Sequence, residues 1–287
     1  MNYAISPDEV MVAFRNEQMS RGLLRRLLKR TPRTDASPSW IKPSMDDGRI
    51  PEDDLLVFAG FQNADETILD VGSNWGYSAI GIWNAGSKCK IISFDPVIGF
   101  TECLNEIKRL KGEQFDFRII ALSDETGETT LYVPVIKDQM LTALATAQTD
   151  PNFTVYAKNI DTYKLATDAK SARFRFYSFR AKTEKMDDLL TRDFPDRKIV
   201  AVKMDAEGYE PKILGGMLNT LRFHKPILLI ENGALEITQN LLFREGYLLA
   251  ERIGSKLRLA QSKPEAINFF YCHSDNIGDY KKLGIVI

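Results

Sequence analysis

The sequence has few of the residues that build metal centres or disulfide frameworks. Among 287 residues there are three cysteines, at positions 89, 103 and 272, and two histidines, His224 and His273. The cysteines are odd in number, far apart and without a C-x-x-C pair, which excludes a zinc ribbon or a thioredoxin-like motif and argues against a disulfide framework. We assign both histidines structural roles, and we expect a reducing, cytoplasmic compartment.

Long apolar runs and an excess of one charge are also missing. No segment reaches the roughly 18 apolar residues that cross a bilayer, and the first residues lack the pattern of a secretory signal. The 38 basic and 39 acidic residues leave a formal net charge of −1. This balance argues against a dedicated nucleic-acid binder, because such domains usually show a strong basic excess.

One region departs from the balance of charges. Segment 7–30 is predicted as a helix with a stripe of leucines, and residues 21–33 carry six positive residues and no acid. Two interpretations stay open: the stripe packs on the main domain beneath a solvated basic face, or the helix contacts an anionic membrane surface or a phosphorylated ligand. Prolines at 32, 38 and 43 then predict an irregular connector. Residues 1–50 are therefore predicted as an N-terminal helical extension.

From about residue 66 the sequence alternates between strand and helix patterns. Strands are predicted at 67–71, 90–94, 115–122, 129–133, 199–204, 227–230, 247–251, 257–260 and 269–272. Helices are predicted at 77–85, 100–110, 211–221 and 236–244. Strands separated by helices of about ten residues predict an α/β domain over 51–287 with a doubly wound, mostly parallel sheet.

The stretch 136–182 interrupts this alternation and is predicted as an insertion that could serve as a lid over an acceptor. Within it, residues 173–180 read R-F-R-F-Y-S-F-R. This mixture of bases and aromatics fits either a surface that binds a sugar phosphate or nucleotide, or an edge strand with exposed arginines.

The strongest motif is the first strand–helix junction, which reads D-V-G-S-N-W-G at residues 70–76. Gly72 and Gly76 allow a tight turn and a close approach of backbone to a ligand at a helix N-terminus. The next strand ends in Asp95, at a spacing typical of an adenosine site in which the acid binds the ribose hydroxyls. Asn74 replaces the second glycine of G-x-G-x-x-G, which argues against NAD(P) or FAD. The pattern fits S-adenosylmethionine, and the alternative is a structural turn of an unrelated α/β protein.

Five strings in this order resemble the FkbM family of S-adenosylmethionine-dependent methyltransferases. They are D-V-G-S-N-W-G at 70–76, F-D-P at 94–96, K-M-D-A-E-G-Y-E at 203–210, L-G-G at 214–216 and P-I-L-L-I-E at 226–231. The resemblance covers roughly residues 65–235. It implies a Rossmann-like class I methyltransferase fold and an O-methyltransferase for hydroxyls of sugars, glycans or secondary metabolites. The chain departs from the family at Asp95, where Glu is usual, and at Trp75, where a small or aliphatic residue is usual.

The resemblance and the expected sheet geometry assign the cofactor site. The methionine portion of S-adenosylmethionine would lie on Asp70 and the turn residues Gly72, Ser73, Asn74 and Gly76, and Asp95 would hold the ribose with a shorter reach than Glu. Ser123 and Asp124 would flank the adenine, with Asp124 accepting from its amino group. The alternative for Asp124 is a turn residue before Gly127.

The acceptor is expected at the carboxyl ends of the central strands, where ligands of open α/β sheets bind. Asp205 and Glu207 are the predicted catalytic residues. One of them would accept the proton of the acceptor hydroxyl while the methyl group moves in line from sulfur to oxygen. Glu210 is expected to cap the following helix.

The same residues offer two alternatives, with and without a metal ion. Asp205, Glu231 and Asn232 resemble the oxygen ligands of magnesium-dependent catechol-type O-methyltransferases. In the alternative, Glu231 orients Lys203 or the loop backbone without metal, and no metal ligand is predicted.

The predicted function is methyl transfer to a hydroxyl of a sugar, glycan or glycosylated metabolite. One alternative is a secondary metabolite or a nitrogen or carboxylate acceptor, although the N-P-P-aromatic string usual for nitrogen is replaced by D-A-E-G at 205–208. The other alternative is a silent cofactor-binding module, against which the intact Asp70, Gly72, Gly76 and Asp95 argue.

Overall fold

The structure is a computed structural model that describes residues 37–136, 139–140, 145–147, 174–231, 235–262, 266 and 268–287. The predicted helix at 7–30, its basic stretch at 21–33, most of the insertion and Asn232 lie outside the described residues. The described residues form two compact units. The larger unit contains 37–127 and 182–287, and the smaller contains the described parts of 128–181.

The strands follow the predicted order along the chain. They are β1 Glu66–Val71, β2 Lys90–Phe94, β3 Phe115–Arg118, β4 Ala121–Leu122, β5 Gly127–Ile136, β6 Gln139–Met140, β7 Phe174–Glu184, β8 Lys198–Met204, β9 Ile227–Glu231, β10 Tyr247–Ile253, β11 Lys256–Leu259 and β12 Asn268–His273. The α-helices are α1 Ile41–Asp46, α2 Tyr77–Asn84, α3 Thr101–Lys111, α4 Met186–Asp193, α5 Glu210–Gly215, α6 Leu218–His224, α7 Leu235–Arg244 and α8 Ile277–Lys282. Short 3₁₀ segments include Pro38–Trp40 and Asp53–Gly60. None of the helices in this part of the chain is both long and apolar enough to span a bilayer.

The larger unit is organised around an eight-stranded sheet in the order β3-β2-β1-β8-β9-β12-β10-β11. The first five strands in this order, β3, β2, β1, β8 and β9, run parallel to one another. Strand β12 lies between β9 and β10 and is antiparallel to both. The chain moves outward from β1 to β3 and then returns to place β8 on the other side of β1. This reversal makes a crevice at the carboxyl ends of β1 and β8. The doubly wound, mostly parallel sheet is thus confirmed.

The central strands are apolar because both faces of the sheet are covered. In β1, β2 and β8 every residue after the first is buried, as expected for parallel strands between two helical layers. The 3₁₀ segment Asp53–Gly60 packs with α2, and α4 packs with α6. In the smaller unit, β5 and β6 form an antiparallel pair, and Tyr132 bridges to Thr146.

Two predicted elements are divided in the structure, because a distant segment contacts each of them. The strand expected at 115–122 is divided: β3 pairs with β2, whereas β4 pairs with Thr183 and Glu184 at the end of β7. The helix expected at 211–221 is also divided, since α5 ends at Gly215 and α6 begins at Leu218. The break brings Gly216 so close to another segment that an added Cβ would lie 1.9 Å from the Ser123 carbonyl oxygen.

The connector predicted as irregular contains helix α1, with Pro43 in its first turn. Proline is tolerated there because the amide groups of the first turn have no partner inside the helix. None of the helices predicted from the sequence corresponds to helix α4. Its amphipathic pattern is short, and Met186, Leu189 and Leu190 are buried only because the sheet lies beneath them.

The turn after β1 touches the loop after β8 directly. Gly72 has φ +72°, and a Cβ on it would lie 1.7 Å from the carbonyl oxygen of Asp205. The Gly72 amide donates to Phe94 O at 2.9 Å, and the Asp205 amide donates to Val71 O at 3.1 Å. The carboxyl ends of β1, β2 and β8 are therefore joined through backbone contacts at one glycine.

We expect Gly72→Ala to lower the free energy of unfolding by several kcal/mol, because a backbone oxygen must move to admit the methyl group. The matched control is Gly48→Ala, since Gly48 also has a positive φ but has nothing within 4 Å of an added Cβ. That control should lose only about 1–2 kcal/mol, the cost of the left-handed backbone. Urea denaturation of both variants measures the difference, and equal losses would contradict the contact.

Candidate active site

The glycine-rich turn carries polar atoms that the protein leaves unsatisfied. Ser73 Oγ, Asn74 Oδ1 and Trp75 Nε1 are buried and have no hydrogen-bond partner among the described residues. Such atoms are rare in native proteins because each costs free energy. Three in succession, on a turn that precedes helix α2, fit a polar ligand that would bond to them.

Asp70 lies beneath this turn and is fully buried. Its Oδ1 accepts from Ser78 Oγ at 2.7 Å, and its Oδ2 accepts from Ser93 Oγ at 2.8 Å. Burial raises the pKa of Asp70, while Lys203 and the two hydroxyls oppose the rise. Asp70 therefore links β1 to α2 and β2, and its predicted contact with the methionine portion stays a prediction.

Asp95 is buried at the end of β2 and holds the turn from the other side. Its Oδ2 accepts from the Asn74 amide and its Oδ1 from the Val97 amide, each at 2.9 Å. Burial nevertheless raises the pKa of Asp95 to about 7. Each carboxylate oxygen can accept a second hydrogen bond, so Asp95 could bind the ribose while it keeps its bonds to the two backbone amides. The ribose role stays a prediction.

The predicted adenine residues lie beside the loop after β8. Ser123 is buried, and its hydroxyl lies 3.1 Å from Asp124 Oδ1 and 3.3 Å from Tyr209 Oη. Asp124 is 42% exposed and lies 3.3 Å from Lys212 Nζ. Tyr209 and Lys212 are neighbours that sequence reasoning missed, although Tyr209 lies within the 203–210 string. Asp124 is accessible to a ligand, and its role with adenine stays a prediction.

The two predicted catalytic acids lie together with a third carboxylate. Oxygen atoms of Asp205, Glu207 and Glu231 lie within 4.8 Å of one another. Adjacent parallel strands produce this arrangement, because β8 ends just before Asp205 and β9 ends at Glu231. The three could hold one divalent cation, but acids often group without one, and the expectation of no metal ligand stays a prediction.

Lys203 contacts this group of acids. Its side chain is only 8% exposed, and Nζ lies 3.1 Å from Asp205 Oδ2 and 3.4 Å from Gly72 O. Burial would raise the pKa of Asp205, but Lys203 and a hydrogen bond from Glu231 outweigh it and lower the pKa. Glu231 has a raised pKa, first from burial and then from the Asp205 charge. Glu231 thus shares a hydrogen bond with Asp205.

Glu207 is placed by an unusual backbone. Its φ of 50° lies in the left-handed region, which is uncommon for a residue other than glycine. Burial, reinforced by the charges of Asp205 and Glu210, raises the pKa of Glu207 to about 8. A carboxyl group in this range suits proton transfer near neutral pH.

Glu210 supports the same turn. It is fully buried at the start of α5, and its Oε1 accepts from the Ala206 amide at 2.9 Å and the Gly208 amide at 3.2 Å. Glu210 therefore closes the turn before the helix, and its carboxylate also bonds to its own amide at the first residue of α5, in keeping with the expected helix cap. Its Oε2 has no partner among the described residues.

The strand order, the crevice between β1 and β8 and the acids above it define a Rossmann-like class I methyltransferase fold. The model of the methyltransferase FkbM domain family matches residues 70–252, more than half of the chain. The chain belongs to the FkbM methyltransferase family.

Two solved structures are similar to this chain at low identity. Methyltransferase FkbM from Methylobacillus flagellatus is 15% identical with a TM-score of 0.43, and the match covers 80% of this chain and 58% of that one. An S-adenosylmethionine-dependent O-methyltransferase from Thermotoga maritima is 9% identical with a TM-score of 0.34, over 93% and 71% of the two chains. No curated protein matches the chain.

Glu207 generates a testable dependence of stability on pH. Its pKa is about 8 in the folded protein and 4.5 in an exposed peptide, so the native state keeps a proton that the unfolded chain releases. The contribution of Glu207 therefore lowers stability as pH rises from about 4.5 to about 8. We expect Glu207→Gln to be more stable than the wild type at pH 8 by about 1 kcal/mol or more, and similar at pH 4.

Urea denaturation at both pH values measures this effect. The control is Glu113→Gln, which removes an exposed carboxylate and should leave the pH dependence unchanged. An identical dependence in Glu207→Gln and the wild type would show that Glu207 ionises normally.

Proposed function

We propose that this protein is an S-adenosylmethionine-dependent O-methyltransferase that methylates a hydroxyl of a sugar, glycan or glycosylated metabolite. The observation that carries the proposal is the contact between Gly72 and the Asp205 backbone. It joins the turn suited to the cofactor to the loop that holds the two candidate bases. The methyl donor and the base would therefore lie close enough to act on the same acceptor hydroxyl.

The residues of the turn fit the cofactor. The unsatisfied polar atoms of Ser73, Asn74 and Trp75 offer hydrogen bonds to its polar groups. The accessible Asp124 could accept from the adenine amino group, and Asp95 from the ribose. When bound, S-adenosylmethionine supplies a methyl group on a sulfonium, which an oxygen nucleophile can displace in line.

The acids after β8 divide the remaining work. Asp205 stays a carboxylate because Lys203 is 3.1 Å away, and it can accept a hydrogen bond that orients the acceptor hydroxyl. Glu207, with its pKa of about 8, is the better match for the group that takes the proton, because a base works best with a pKa near the working pH. Alignment of the two substrates supplies the rest of the acceleration.

The family resemblance supports a sugar, glycan or glycosylated metabolite as the acceptor. Secondary metabolites and nitrogen or carboxylate acceptors are the alternatives. Cys89, Cys103 and Cys272 are buried free thiols, which supports the proposal of a cytoplasmic enzyme. A screen of nucleotide sugars and glycans with labelled cofactor, read by mass spectrometry, tests the acceptor class, and labelling of a nucleic acid or protein instead would overturn it.

The proposed function predicts that the protein binds the cofactor. Titration calorimetry should detect binding of S-adenosylmethionine and of its demethylated product to the wild-type protein. An absence of binding at high micromolar cofactor would reject the proposed enzyme.

The second prediction separates binding from turnover. Once an acceptor is found, Asp205→Asn and Glu207→Gln should each keep the calorimetric affinity for the cofactor within about threefold, while turnover falls by about 10²-fold or more. Glu113→Gln serves as a control with unchanged turnover. Wild-type turnover in both Asp205→Asn and Glu207→Gln would refute their assignment as catalytic residues.

A further inference from the structure

Glu52 is an acid outside every sequence motif, yet the fold places it beside the candidate active site. It immediately precedes the 3₁₀ segment Asp53–Gly60. On one side, Pro51 packs on helix α2, since a Cβ added to Gly81 would lie 2.6 Å from Pro51 Cδ. On the other side, Asp54 accepts from Arg252 Nε at 2.8 Å and Asn268 Nδ2 at 3.0 Å.

These anchors put Glu52 at the carboxyl edge of the sheet. Asn268 is the register partner of Glu231, the last residue of β9, and α2 begins directly after the glycine-rich turn. Glu52 is held between these two points. The charges that act on its carboxyl are those of Lys203, Asp205, Asp54 and Asp70. Asp70 lies in β1, Lys203 lies in β8, and Asp205 follows β8 directly.

The Glu52 side chain is free to meet a ligand. It is exposed to solvent, and among the described residues no cation forms an ion pair with it. Its burial among neighbouring atoms is still sufficient to raise its pKa, with Lys203 opposing. An accessible carboxylate at the rim of a partly desolvated site is suited to bind a cationic group.

Three other acids near the turn already have hydrogen-bond or ion-pair partners. Asp70 bonds to two serine hydroxyls, Asp95 bonds to two backbone amides, and Asp205 pairs with Lys203. The amino-acid end of S-adenosylmethionine carries an ammonium group, which needs an acceptor. Glu52, by contrast, is exposed, and no cation forms an ion pair with it among the described residues.

We propose that Glu52 is a cofactor-binding residue whose carboxylate accepts hydrogen bonds from the ammonium group of the methionine portion of S-adenosylmethionine. This inference rests on the proposed function, because it requires that the protein bind this cofactor. It moves the recognition of the methionine end from Asp70 to a residue that precedes the first strand.

The test compares Glu52→Gln with the wild type by titration calorimetry against two ligands. S-adenosylhomocysteine contains the ammonium group, whereas methylthioadenosine keeps the adenosine and lacks the amino-acid end. We expect Glu52→Gln to weaken binding of S-adenosylhomocysteine by about tenfold or more and to leave the affinity for methylthioadenosine unchanged. The matched control is Asp53→Asn, because Asp53 is 82% exposed and should affect neither ligand.

Each outcome decides the proposal. Equal affinity of Glu52→Gln and the wild type for S-adenosylhomocysteine rejects Glu52 and leaves the proposed function intact. Equal weakening for both ligands also rejects it, because the effect would then be general to the site. An absence of binding in the wild type rejects the proposed function and this inference together. A thermal melt of each variant confirms that it is folded before titration.

Discussion

The carboxyl edge of the sheet depends on one buried ammonium group. Lys203 Nζ lies within 3.4 Å of both the Asp205 carboxylate and the Gly72 carbonyl, and Asp70 and Glu52 add further negative charge around it. Burial would lower the pKa of Lys203, but these carboxylates outweigh it and raise the pKa. A buried charge is tolerated only when it is paired and hydrogen-bonded. The turn after β1 and the loop after β8 are therefore held together by charge as well as by backbone contact.

The same ammonium group gives neighbouring acids different properties. Asp205 lies next to it and keeps a low pKa, whereas Glu207 and Glu231 are buried near Asp205 and have raised pKa values. These three carboxyl groups thus differ in their readiness to hold a proton because their environments differ. This division is what a transfer to a hydroxyl would need: one group that orients the acceptor and one that accepts its proton.

Much of the fold could be predicted because its signals are local. The apolar runs at 67–71, 90–94 and 199–204 correspond to strands within one residue of their observed bounds. Two of the errors occur where a distant segment decides the local structure. The chain breaks at Gly216 because the Ser123 backbone lies against it, and β4 leaves the main sheet because the end of β7 pairs with it. The hydrophobic pattern of neighbouring residues cannot predict such contacts, because they involve segments far apart in the sequence.

The sequence by itself determined the alternation of strands and helices, the glycine-rich turn, the acids after the strands and, through these, the family. Each of these depends on the type and spacing of nearby residues. Only the tertiary structure decided which acids meet, which are already bonded and which remain accessible. Asp70 and Asp95 matched the expected motif, yet their oxygens bond to serines and backbone amides. Glu52 matched no motif, yet its carboxyl interacts electrostatically with Lys203 and Asp205. Burial and hydrogen bonding depend on residues far apart in the chain, so they are properties of the folded molecule.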